Sequence, residues 1–107
     1  MFSKASDSGY KNPAQGVRLK PLVHGEKTLL AEFKLDKGSE VTAHTHPHEQ
    51  TGYLVSGRIA LVVEGERHEL SPGDAWNVAG NLEHYAEVLE DSVVVEVFSP
   101  VREDFLD

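Results

Sequence analysis

From Val17 onward, short apolar segments alternate with turn signals at intervals of about ten residues. The segments are VRLKPLV, TLLAEFKL, GYLVSGRIALVVE, ERHEL, DAWNVA, EHYAEVLE and SVVVEVFSP. Between them lie His24-Gly25-Glu26, Asp36-Lys37-Gly38, Glu64-Gly65, Pro72-Gly73-Asp74, Gly80-Asn81 and Glu90-Asp91. Short β-branched runs at this spacing predict an all-β sandwich or barrel. Glu64-Gly65 predicts a tight hairpin turn. No segment carries a helical period, and only VREDFLD has the makings of a single helical turn. Residues 1–16, rich in Ser, Gly, Lys and Asn, read as a flexible or strand-exchanging arm, with one barrel domain and its tail over 17–107.

Strand periodicity sorts SVVVEVFSP into two faces. Val93, Val95 and Val97 share one, and Val94, Glu96 and Phe98 the other. Both are mostly apolar, which suits a strand between two layers. Glu96 is the odd residue, because a buried carboxylate is costly unless paired or used. The alternative is an acid at the barrel mouth, solvated or salt-bridged.

Composition narrows the partners. The chain has 107 residues, 39% hydrophobic and 26% charged, with a net charge of −8. That balance argues against a nucleic-acid partner, which requires a basic face, and against an anionic membrane surface. No cysteine is present, so neither a disulfide framework nor a thiolate nucleophile exists. The N-terminus lacks the apolar core of a signal peptide, and no apolar run approaches membrane-spanning length. The expectation is a cytoplasmic protein. A domain this short buries only about 60–70% of its unfolded surface, so a homodimer is expected as well.

Three of the six histidines fall at alternate positions: His44, His46 and His48. Period two puts His44 and His46 on one strand face, about 7 Å apart. Pro47 ends the strand, which leaves His48 and Glu49 at the mouth or surface. Two imidazoles begin a metal site, and further ligands must come from elsewhere. Gln50 follows the turn, and His84 has Ala86 and Val88 as same-face neighbours, which leaves room around an inward ring. His24 and His68 read as surface histidines, and Tyr53 and Trp76 as core or dimer residues.

Taken together, these spacings resemble the cupin superfamily. Gly38-x5-His44-x-His46-x3-Gln50-x6-Gly57 is similar to its first motif, where the Gln50 position is usually Glu. Gly73-x5-Ala79-x-Asn81-x2-His84 is similar to its second, where Ala79 and Asn81 are usually Pro and Gly and Val88 usually Asn. The resemblance runs from Val17 to Phe98 and implies a single-domain double-stranded β-helix, a jelly-roll barrel. It also implies a metal held by His44, His46, Gln50 and His84. Nitrogen-rich ligation suits Zn, Ni, Fe, Mn, Co or Cu rather than Mg or Ca.

HTHPHEQTGYLVSG together with VVVEVFSPVREDFL looks like the single-domain cupins of pectin degradation, which linearise unsaturated galacturonate. Their proposed acid, aromatic and arginine fall on Glu96, Phe98 and Arg102, with Glu96 standing where Asp is usual. On that resemblance Glu96 and Arg102 are catalytic, and Phe98 and Arg102 bind a small anionic substrate such as a sugar acid. The alternative for Arg102 is a surface pair with Glu103 or Asp104, and for Phe98 an ordinary core aromatic. Two other functions stay open: a cupin dioxygenase using a redox metal, and a non-catalytic small-molecule-binding module.

Overall fold

The computed structural model describes residues 1–106 and is built almost wholly of antiparallel strands. They are β1 (Lys11–Ala14), β2 (Val17–His24), β3 (Leu29–Leu35), β4 (Glu40–His44), β5 (Glu49–Val63), β6 (Glu66–Leu70), β7 (Ala75–Val78) and β8 (His84–Ser99). A single 3-10 turn, Glu103–Phe105, falls within VREDFLD as the sequence predicts. Along the sheet the order is β1-β2-β3-β8-β5-β6, with β4 added on β8 and β7 on β5. Among the described residues, no helix is long and apolar enough to cross a membrane. Within the first sixteen residues, β1 is hairpinned onto β2 of the same chain.

One two-stranded ribbon organises the barrel. β5 and β8 pair from Glu49↔Ser99 to Val63↔His84, and together they serve both halves of the fold. The Glu90-Asp91 turn signal is overruled, because β8 continues through it unbroken as one strand. The reason is a corner rather than a turn. The register slips between Leu54 and Ile59, and Gly57 sits at φ 91°. A Cβ there would stand 2.3 Å from the Asp91 carbonyl oxygen, so only glycine lets the two strands close at the bend. Ser92, 3% exposed, seals the corner: the Arg58 amide donates to its Oγ at 3.1 Å, and Oγ donates to the Glu90 carbonyl at 2.7 Å. Bending there brings both ends of a sixteen-residue strand to one cavity.

The Glu64-Gly65 hairpin forms as expected, joining β5 to β6 with both residues at positive φ. Inside, Val17, Leu35, Leu54, Ile59, Val88 and Val94 make one apolar cluster, and Leu19, Leu29, Ala31 and Phe98 another. Each fully buried Leu or Phe contributes about 1.5–3 kcal/mol. The inner face of β8 is therefore Ser92, Val94, Glu96 and Phe98, all buried. On its outer face Val93 and Val95 are half-buried and Val97 is exposed.

Candidate metal centre

β4 stops at His44, two residues before the strand expected from the period-two reading would end. His46 stands in the following loop. Its carbonyl accepts the Asn81 amide at 2.7 Å, so it has no place in a strand ladder. Asn81 itself holds φ 68°, the left-handed backbone its position requires. The two histidine-bearing turns are thus docked on each other. Across the sheet, His44 and His84 are register partners on β4 and β8.

These contacts converge three rings. Centroids lie 4.3 Å apart for His44 and His84, 4.9 Å for His46 and His84, and 5.3 Å for His44 and His46. One nitrogen from each ring falls within 4.8 Å of the others. Every Nδ1 is already engaged by a backbone carbonyl: His44 with Thr42 at 2.7 Å, His46 with His48 at 2.9 Å, His84 with Leu82 at 2.8 Å. A carbonyl can only accept, so each Nδ1 carries the hydrogen and each Nε2 keeps a lone pair. Nε2 of His46 and of His84 is buried without a partner in the chain. Burial, reinforced by the charge of Arg102, holds His46 down to about 4. His84 is also lowered by burial, against the Leu82 carbonyl, which favours its charged form. Neutral rings with oriented, bare nitrogens are the form a transition metal takes up, and a carbonyl on the remote nitrogen is the usual orienting partner. The residues present fit such an ion.

Gln50 and Glu96 stand beside the imidazoles. Gln50 is the smallest influence on the His46 ring and the one that opposes the others, favouring the charged form. Its Nε2 donates to Glu96 Oε2 at 2.6 Å, and both residues are buried. Glu96 is indeed inside, where burial lifts its carboxyl to about 7 against the opposing pull of Trp76, Gln50 and Arg102. Phe98 is 2% exposed; it packs against Phe33 and Phe105 and sits 6.1 Å from the His46 ring while also lining the cavity.

Arg102 lines the cavity with its guanidinium 4.1 Å from the Phe105 ring centre. Asp104 grips it by two bonds, from Nε at 3.0 Å and from Nη2 at 2.7 Å, and is itself held low by that charge. Of the two acids weighed for this pair, Asp104 is the partner. The Nη1 edge of the guanidinium is outside that fork.

His24 ends β2 and His68 is exposed beside Glu66, so neither joins the cluster. Tyr53 points outward, 47% exposed. Trp76 packs against the core, as expected, and also lines the cavity and donates toward Glu96, a contact sequence reasoning missed. The only available signal was its place two residues before Val78 on a strand facing Gln50, which requires the register to be known. His48, expected at the mouth or surface, orients His46 through its carbonyl.

A curled antiparallel barrel with three convergent imidazoles on two docked turns defines a small cupin. Residues 31–99 match the cupin domain model, and the chain belongs to that family. More particularly, it is similar to the pectin degradation protein KdgF of Dickeya dadantii (strain 3937): 31% identical over 102 residues, spanning 94% of this chain and 93% of that one. The structure of KdgF from Halomonas sp. superposes with a TM-score of 0.91 at 35% identity, over 97% of this chain and 98% of that one. An RmlC-like cupin from Shewanella frigidimarina also gives 0.91, at 29% identity over 97% and 94%.

Proposed function

We propose that this chain is a metal-dependent enzyme that opens or tautomerises an unsaturated uronate. The observation that carries the reading is the trio of carbonyl-anchored imidazoles beside a buried carboxyl raised to about 7. The similarity to KdgF proteins supports the substrate class.

His44, His46, His84 and the Gln50 carbonyl oxygen are the ligands in this reading. All four are uncharged, so a bound divalent ion keeps its full charge and supplies Lewis acidity toward a carboxylate or hydroxyl oxygen. Arg102 steers the substrate carboxylate with the guanidinium edge that Asp104 leaves free. Phe98 and the apolar wall exclude water from a cavity of about 240 Å³. Glu96 moves the proton. Ring opening takes the proton from the anomeric hydroxyl, forms the aldehyde and breaks the bond to the ring oxygen, which receives that proton back from Glu96 and leaves as an enol. Tautomerisation then takes the enol hydrogen and places a proton on the neighbouring carbon. A carboxyl near neutrality serves both directions.

Incubating the metal-reconstituted protein with unsaturated galacturonate is the test. Loss of absorbance from the conjugated double bond should accelerate. No acceleration with any first-row divalent ion contradicts the proposal.

A homodimer belongs to the same proposal. Tyr53, Val55 and Val97, at 47%, 48% and 37% exposure, flank half-buried Val93 and Val95 on the outer face of β5 and β8. This uncharged patch lies on a chain of net charge −8, where a second copy can approach with least repulsion. Light scattering should give twice the chain mass, and Val95→Glu should halve it. A monomer at all concentrations rejects the dimer.

A further inference from the structure

Trp76, Gly52 and Glu96 stand abreast on three adjacent strands. Gly52 pairs with Trp76 on β7 and with Glu96 on β8, and Ala31 of β3 follows on the far side of Glu96. The row therefore presents a large ring, no side chain, an acid and a methyl group.

The indole fills the space that Gly52 leaves. A Cβ on Gly52 would stand 2.2 Å from Trp76 Cε2, so any side chain there displaces the ring. Lying across the glycine, the indole brings Nε1 to 3.4 Å from Glu96 Oε2. Gln50 Nε2 donates to the same oxygen at 2.6 Å. Two N–H donors thus occupy the two lone pairs of Oε2. Neither bond reaches Oε1, and the cavity is lined by this same carboxyl.

We propose that Trp76, seated on Gly52, is a positioning residue that ties down one oxygen of Glu96 and leaves the other as the one presented to a ligand. The contact itself is independent of the substrate assigned above; only its effect on turnover rests on that reading. Gly52 belongs to the same device, since without it the indole has no path to the acid.

Trp76 is the one tryptophan in the chain, so the zinc-loaded, nitrogen-15-labelled protein gives one indole N–H resonance. In Glu96→Gln the charged acceptor becomes a neutral one, and the resonance should move upfield and exchange faster with water. Gly52→Ala should carry it to the position of a solvent-exposed indole. A resonance unmoved in Glu96→Gln overturns the proposal. Trp76→Phe keeps an aromatic ring, smaller than the indole, and removes the N–H. With unsaturated galacturonate its kcat should fall about tenfold at unchanged KM. Wild-type kcat in that variant also overturns the positioning role. Should the unsubstituted protein turn nothing over, the substrate reading fails and the resonance alone decides the positioning.

Discussion

Two sets of buried polar groups stand at one site, and they differ in how far the fold satisfies them. The imidazoles of His46 and His84 have one nitrogen tied to a backbone carbonyl and the other bare. Glu96 has two N–H donors from its own chain on a single oxygen. A bare buried nitrogen costs about 1–3 kcal/mol, a cost that a partner from outside the chain would remove. A carboxyl supplied with internal donors is a finished device, held for use rather than for filling. On the proposed function, the imidazole half of the site binds and the Glu96 half acts.

Breaking the binding half should have the largest effect. His84→Ala should weaken zinc affinity more than about 100-fold, since loss of an orienting partner alone costs about 10–100-fold. Competition with a chelator measures it, and near-native affinity would remove His84 from the ligand set. Breaking the acting half should spare the metal. Glu96→Gln should lower kcat about 100-fold while zinc affinity stays within a few-fold, because the new amide oxygen still accepts from Gln50. Equal loss of both would mean that the two halves are one.

The corner that brings the halves together can be attacked separately. Gly57→Ala places a methyl against the Asp91 carbonyl at a positive φ. It should destabilise the protein by about 2 kcal/mol or more in urea unfolding. A neutral result would show that the ribbon bends without help from glycine.

The smallest effect is read through pH. In the metal-free protein His46 is lowered from 6.5 to about 4, so the unfolded chain gains protons first as pH falls, and stability is lost through that window. His84 adds to this slope. Glu96 has the opposite sign: raised from 4.5 to about 7, it takes stability away as pH rises. Between pH 4.5 and 6.5 the two slopes oppose each other. Glu96→Gln leaves only the histidine slope, so stability should fall more steeply on acidification. Urea titrations at either end of the window decide it.

Much of this was legible in local pattern. The Glu64-Gly65 turn, the inward room around His84 beside Ala86 and Val88, and the oddity of Glu96 between Val94 and Phe98 all follow from strand period alone. What escaped depends on pairing between distant residues. Glu90-Asp91 looks like a turn until Gly57 is known to lie opposite. His46 looks like a strand residue until Asn81 takes its carbonyl. Trp76 reads as core and nothing more until three strands are set in register. The choice of Asp104 over Glu103 as the partner of Arg102 required the backbone of the 3-10 turn.

X-ray absorption on the zinc-loaded protein tests the metal centre most directly. One equivalent of zinc should show three imidazole nitrogens and an oxygen at about 2.0–2.2 Å. Fewer than three imidazoles, or uptake well below one ion per chain, would contradict a site built from His44, His46 and His84.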